Sequence, residues 1–279
     1  MKSSLPDALR AQPVPPDLKE VWERAGPRLG PFAEGLHCVS TVTSTNDLAL
    51  RLADAGAKEG TTLLAETQTA GRGRRGRDWF SPPGSGIYVS VILRPVIDEL
   101  QRPSTWLTSR ITLASGVALA EGVRVSTGLP AELKWPNDLV CERRKLAGIL
   151  AEMATTGSDG AVVLGIGINV RAAAYPPELA ATATSLEAEL GRPIDRALVL
   201  VETLVALASR YGDLRAGRFD AILTAWRGLA RSLPGSPVEW DGPAGVVHGH
   251  AIDIDSDGTL LARTERGIVR LVAGEVRWR

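Results

Sequence analysis

Apolar residues follow two rhythms along this chain. Short runs rich in Val, Ile and Leu predict strands at "HCVSTVTSTN" (37–46), "TTLLAETQ" (61–68), "GIYVSVILRP" (86–95), "AELKW" (131–135), "DLVCE" (138–142), "KLAGILAEMA" (145–154) and "AVVLGIGINV" (161–170). A helical rhythm covers "DLALRLADAG" (47–56), which Thr45 or Asn46 is placed to cap and Gly56 to end. Further helices are predicted at about Pro103–Thr127, Thr184–Leu190, Asp195–Arg215 and Phe219–Leu229. In the first of these, Trp106, Ile111, Ala114, Val117 and Ala118 mark the inner side; in the third, Leu198, Val201, Leu204, Val205 and Ala208 recur at helical spacing.

After "SLPGSP" the texture changes. "VEW", "GVVHGHAIDI", "TLLART", "GIVRLV" and "EVRWR" read as short strands, with Asp257-Gly258 as a hairpin turn. The chain therefore divides into a proline-rich N-terminal extension (1–36) with one short helix around Leu18–Arg24, a large domain (37–232) and a small barrel (233–279). Helices and strands do not alternate strictly, so the large domain is expected to be α+β with a mixed sheet.

Composition narrows the function classes. The 279 residues carry 32 basic and 32 acidic side chains, so no global field draws the chain to nucleic acid or membrane. Cys38 and Cys141 are far apart and form no C-x-x-C, so neither a disulfide framework nor a zinc knuckle is suggested. No signal peptide and no run of about 18 apolar residues stands out, and a cytoplasmic protein is expected. Arginine outnumbers lysine 27 to 5, yet Lys134 and Lys145 lie in one 12-residue stretch, a hint that a compact point charge is needed there.

Positive charge is concentrated locally. "GRGRRGR" (71–77) packs four arginines and three glycines into seven positions, followed by Trp79. Such a loop cannot enter a core, and an average one is a solvated hairpin tip. Here the glycines let backbone N–H groups approach a ligand, and the arginines offer forked donors to phosphate or carboxylate. A pliable cationic loop between two apolar strands reads as a lid over a polyanion, either a nucleotide or a nucleic acid strand. No P-loop motif occurs, and "GIGIN" (165–169) is not a dinucleotide fingerprint; its glycines mark close backbone approach.

"KWPND" (134–138) gathers Lys, Asn and Asp around a proline-fixed turn, and "KLAGIL" (145–150) sets Lys145 at a strand entrance with Gly148 bare beside it. The ordered series "STN" (44–46), "ETQTAGRGRRGRDWFSP" (66–82), "KWPND", "KLAGIL" and "GIGIN" closely resembles the bacterial biotin–protein ligases over about residues 38–279, with "VAGEV" near the end matching that family's SH3-like C-terminal barrel. The resemblance implies a biotin/lipoate ligase-like catalytic domain at 37–232. It also implies formation of biotinoyl-5′-AMP from biotin and ATP, then transfer of biotin to a lysine of biotin carboxyl carrier protein.

Carried over residue by residue, the resemblance implies that Ser44, Thr45 and Gln68 bond the ureido ring of biotin, with Asn46, Gly71, Gly73 and Gly148 also in the biotin site. Arg72 and Arg74 would close over the biotin tail and phosphates, and Lys145 would bridge carboxylate and α-phosphate, making Lys145 and Arg74 the catalytic pair. Arg77, Trp79, Lys134, Asn137 and Asn169 would serve the nucleotide, Trp79 near the adenine, while Asp138 would hold Mg²⁺. The regulatory members carry an N-terminal winged helix of roughly sixty residues. Residues 1–36 do not match it, so a ligase-only protein without sequence-specific DNA binding is expected. An arginine-rich nucleic-acid arm and a lipoate or octanoate transferase are the competing readings; zero net charge argues against the first and the glycine–arginine loop against the second. His248 and His250 share a strand face, but zinc needs at least three protein ligands and no third is evident.

Overall fold

A computed structural model describes residues 13–95, 104–154, 160–173, 175–242, 245–271 and 276–278. The larger sheet contains β1 (Leu36–Val42), β2 (Thr62–Gln68), β3 (Gly86–Leu93), β4 (Glu132–Lys134), β5 (Asp138–Cys141), β6 (Arg144–Met153) and β7 (Val162–Asn169), ordered β1-β2-β3-β7-β6-β5-β4. β1 and β2 are parallel, which requires a crossover, and helix α2 (Thr45–Asp54) supplies it. Every other neighbouring pair is antiparallel, giving the mixed sheet.

Alternation along β3 and β7 sorts residues between two layers. Ile87, Val89, Val91 and Leu93 of β3, with Val162, Leu164, Ile166 and Ile168 of β7, enter the main core. That face is covered by α3 (Ser104–Thr127) and α6 (Arg196–Arg215). The two helices approach to backbone contact, because a Cβ on Gly122 would lie 2.4 Å from Thr203 Cα. On the opposite face, α2 covers one end of the sheet, packing Ala49, Leu52 and Ala53 over Leu63, Ala65, Ile92 and Val163. The other end of that face carries Tyr88, Ser90, Gly148, Leu150, Gly165 and Gly167, and the functional site opens there.

Some local expectations shift. Ser44, not Thr45 or Asn46, caps α2 by accepting from Asp47 N–H; Thr45 and Asn46 turn inward in the first turn and are buried. The predicted helices at 184–190 and 195–215 begin later, at α5 (Leu186–Leu190) and α6, because Ser185 and Asp195 are their N-caps. A one-turn α4 (Pro177–Ala180) precedes them.

The described part of the N-terminal segment is not an appendage. Helix α1 (Pro16–Ala25) and the 3₁₀ segment Gly26–Phe32 bury Leu18, Trp22, Ala25, Leu29 and Phe32 in the main core, and Trp22 Nε1 donates to Ala33 O at 2.7 Å. Apolar residues three or four apart form one stripe, which must be covered; α6 covers it.

After α7 (Phe219–Leu229), a second antiparallel sheet follows: β8 (Pro237–Gly242), β9 (Gly245–Ile254), β10 (Leu260–Thr264), β11 (Gly267–Leu271) and β12 (Arg277–Trp278), ordered β11-β10-β9-β8-β12. Its Val238, Ala251, Ile254, Leu260 and Ala262 continue the main core. The predicted Asp257-Gly258 turn joins β9 to β10, with Asp255 accepting from the Asp257 and Thr259 N–H groups. This turn docks on the large domain: Trp135 Nε1 donates to Gly258 O at 3.0 Å. Of "VAGEV" (272–276), only Val276 lies among the described residues. No described helix is long and apolar enough to cross a membrane.

Candidate active site

A cleft of about 450 Å³, counting its open mouth, lies on the sheet face beyond α2. Its floor is bare backbone. A Cβ on Gly167 would stand 2.4 Å from Trp79 Cε2, and one on Gly148 would stand 2.9 Å from Trp79 Cζ3, so only glycine lets the indole lie flat on β6 and β7. The alternating glycines of "GIGIN" thus serve close approach, by a side chain of this chain.

The inner end of the cleft is polar. Thr45 N–H and Oγ1–H both reach Gln68 Oε1, at 2.8 and 3.1 Å, and Gln68 Nε2 donates to Ser81 Oγ at 2.9 Å. Ser44 Oγ accepts from Asp47 N–H, so its own proton remains to be donated, beside the positive end of α2. This wall can recognise a small ring carrying both donors and an acceptor.

Cations line the mouth. Lys145 Nζ lies 2.8 Å from Asp138 Oδ1 and 5.2 Å from the centroid of the Trp79 ring. Arg74 is half-buried and donates to Asn137 Oδ1 at 3.2 Å, while Asn137 Nδ2 donates to Ile149 O. Burial lowers the Arg74 pKa from its ordinary value, with the neighbouring Arg75 charge adding to the effect and Asp138 opposing it. A guanidinium held this way gains stability from an arriving anion.

The arginine loop is folded over the cleft. Gly73 N–H bonds Arg77 O, Arg77 N–H bonds Arg74 O, and Trp79 N–H closes the neck on Gly71 O. Arg75 sits at φ 58, turning the tip sharply. Arg72 reaches back to Asp47 and Glu152, both at 2.5 Å. Burial opposes the Arg72 charge, but these two carboxylates outweigh it and raise its pKa. Charge-assisted bonds from Arg72 thus anchor the base of the glycine-bearing loop to α2 and β6.

Of the residues singled out from sequence, Ser44, Thr45, Asn46, Gln68, Arg72, Gly73, Arg74, Trp79, Asn137, Lys145 and Gly148 line the cleft together. Trp79, expected near the adenine, lies on the glycine floor within the same lining. Gly71 is beneath the loop, where a Cβ would strike Trp79 O at 2.5 Å. Asn169 stands behind Lys145: its Nδ2 donates to Thr184 O and Lys145 O, bracing the strand entrance. Lys134 is at the end of β4, its Nζ 5.7 Å from the Trp278 ring. Arg77 supports the loop through its backbone. Asp138 meets the site through Lys145.

Ser90, Asp47 and Glu152 belong to the site's hydrogen-bond network and carry no motif of their own, whereas Ser81, also in the network, lies near the end of the arginine-loop motif. Ser90 and Glu152 are polar residues inside predicted strands, the one signal that marked them. Among the described residues, no three His, Cys, Asp or Glu side chains converge as a metal site, and His248 pairs with Glu239 at 3.7 Å instead. Mg²⁺ keeps several waters and binds through one or two carboxylates plus phosphates, so the single Asp138 carboxylate beside the mouth fits that ion as part of a nucleotide complex.

Comparison with known proteins extends these observations. Residues 38–169 match the biotin/lipoate A/B protein ligase family, and residues 235–277 match the biotin protein ligase C-terminal domain. The chain is 39% identical over 248 residues to the biotin--[acetyl-CoA-carboxylase] ligase of Mycobacterium tuberculosis, covering 86% of this chain and 88% of that one. It is 36% identical over 265 residues to the bifunctional ligase/repressor BirA of Bacillus spizizenii, covering 94% of this chain and 79% of the relative. Among solved structures, the Aquifex aeolicus biotin protein ligase in complex with biotin and ATP superimposes with a TM-score of 0.75 at 30% identity, covering 88% of this chain and 99% of that one.

Proposed function

The chain belongs to the biotin/lipoate A/B protein ligase family and is a biotin ligase, and from that premise we propose how its cleft works. It binds biotin and ATP, forms biotinoyl-5′-AMP with release of pyrophosphate, and passes biotin to a lysine of a biotin carboxyl carrier protein. The observation that carries this reading is the junction of a polar, ring-sized inner wall with a cationic mouth: Thr45 and Gln68 at one end, Arg74 and Lys145 at the other.

A ureido ring offers two N–H donors and one carbonyl, which can bond the Ser44, Thr45 and Gln68 wall; a dithiolane ring has no N–H or carbonyl with which to do so. The valeryl tail then runs toward Lys145. In the first step a carboxylate oxygen attacks the α-phosphorus and the bond to pyrophosphate breaks. Two anions must meet for this, and Lys145 and Arg74 stabilise the charge that builds between them. Asp138 orients Lys145 and, with phosphate oxygens, would hold Mg²⁺, which supplies charge neutralisation at the phosphates. In the second step the carrier's lysine amine attacks the acyl carbon and AMP leaves. The folded loop keeps water from the acyl-adenylate in the interval.

No DNA-reading role is proposed for the described N-terminal segment, since α1 is committed to packing. The test of the main reading is a purified reaction with biotin, ATP, Mg²⁺ and a carrier domain. Pyrophosphate release that requires biotin, and carrier labelling detected by streptavidin, are expected. Release driven equally well by lipoate would replace the reading with lipoyl transfer.

A further inference from the structure

A chain of hydrogen bonds leaves the arginine loop at Arg72, passes beneath the cleft and returns to the same loop at Trp79. Arg72 Nη2 donates to Glu152 Oε1 at 2.5 Å, and the other carboxylate oxygen accepts from Asn46 Nδ2 at 2.9 Å. Ser90 Oγ lies 2.6 Å from Asn46 Oδ1 and 2.7 Å from Thr45 Oγ1. From Thr45 the path runs to Gln68, to Ser81 Oγ and to Trp79 O.

The inner links of this path are sealed. Ser90 is fully buried, and Thr45 and Asn46 are each 4% exposed. Asn46 is pinned on bare backbone, because a Cβ on Gly165 would come within 2.2 Å of its Oδ1. Ser90 has one proton and two acceptors within reach, so it can serve Thr45 or Asn46 but not both. Whatever engages the Thr45 hydroxyl decides where that proton goes. When Ser90 donates to Asn46 Oδ1, the amide is fixed with Nδ2 toward Glu152, and Glu152 is oriented toward Arg72. Buried polar groups of this kind act as a unit because each unmet bond is costly.

We propose that Glu152 is a positioning residue for the arginine loop, linked through Asn46 and Ser90 to the polar wall, so that a ligand bonded to Thr45 tightens the loop over the cleft. Glu152 touches neither reactant in this scheme; it acts through Arg72. The inference rests on the reading of the cleft as the biotin site for its ligand-dependent part alone, because the Glu152–Arg72 bond joins two side chains of this chain and needs no ligand atom.

The experiment compares the full-length wild type with Glu152→Gln and Ser90→Ala. Three quantities are read: amide exchange over residues 71–80 with and without biotin, biotin affinity by calorimetry, and the release rate of preformed biotinoyl-AMP. In Glu152→Gln, exchange of the loop and release of the adenylate should each rise about tenfold, the scale of one charge-assisted bond at a part-exposed site. Biotin affinity should change less than about threefold, since Gln can still accept from Asn46; a general loss of structure would instead lower it steeply. In Ser90→Ala, unliganded exchange should match the wild type while the protection added by biotin disappears. Wild-type loop exchange and adenylate release in Glu152→Gln would overturn the proposal, and so would full biotin-induced protection in Ser90→Ala. Failure of the wild type to bind biotin would overturn the functional reading instead, leaving the unliganded Glu152→Gln comparison to decide the loop contact.

Discussion

Lys145 and Asp138 are joined across the β5–β6 hairpin by an ion pair of 2.8 Å, with the Lys145 side chain 38% exposed. The carboxylate aims the ammonium at the mouth of the cleft while leaving it reachable by a second anion. Lys145→Ala should leave the melting midpoint within a few degrees and slow pyrophosphate release roughly 100- to 1,000-fold, the usual cost of losing a charge aimed at a transition state. Lys145→Arg should not restore the rate, since a forked guanidinium cannot occupy the place of a compact ammonium. Wild-type pyrophosphate release by Lys145→Ala would remove the residue from the chemistry.

Arg74 is held half-buried by Asn137 at 3.2 Å. Substituting Gly should spare folding and allow adenylate to escape, giving indiscriminate labelling of lysines on bystander proteins. Mass spectrometry of an added inert protein reads this directly. Strict carrier labelling by Arg74→Gly would show that Arg74 is not a retention contact.

Gly167→Ala tests the floor. The new Cβ would lie 2.4 Å from Trp79 Cε2, so the indole must move. Overpacking of this kind costs about 1–3 kcal/mol, and biotin affinity measured by calorimetry should fall roughly tenfold or more. Unchanged affinity would mean that the indole's position does not shape the cleft.

Cys38 is buried in the core, and burial, with the nearby Glu66 charge, pushes its thiol up to about 11 from an ordinary 9.0. The folded chain binds that proton more tightly than the unfolded one, so this group's contribution to stability is intact below about pH 9 and lost as pH climbs through about 11. Urea midpoints should therefore fall over that interval, and less so in Cys38→Ala than in the parent. At pH 7 the native thiol should resist iodoacetamide. Rapid native alkylation at Cys38 would contradict its burial.

Trp22 ties α1 to the main core and is 7% exposed. Trp22→Ala should destabilise the protein by about 3 kcal/mol, read as a lower urea midpoint. With α1 so committed, a gel shift near physiological salt should give no discrete complex with biotin-gene promoter DNA, with or without biotin and ATP. A complex that survives excess nonspecific competitor would reveal a DNA-binding surface outside the packed helix.

Much of this architecture was legible along the chain because its signals are local. Apolar runs and helical spacing located β9 and α7 to the residue, and the turn at Asp257-Gly258 follows from backbone preferences of two neighbours. Most of the cleft's polar members, from Ser44 to Lys145, were marked by short motifs whose ordered series resembles the biotin–protein ligases, and the resemblance, more than any single residue type, implied their chemistry. Other features depend on which distant residues become neighbours. Asn46 and Glu152 are 106 positions apart and meet only because α2 packs against β7 while the β6–β7 register sets Glu152 opposite Val163. Ser90 acts between Thr45 and Asn46 because alternation along β3 turns it away from the main core, which no property of a lone serine announces. Trp79 lies on the floor because glycines on two adjacent strands present bare backbone to its ring. Periodicity fixes what each segment becomes; register, close approach and the burial of polar groups fix which side chains share a proton.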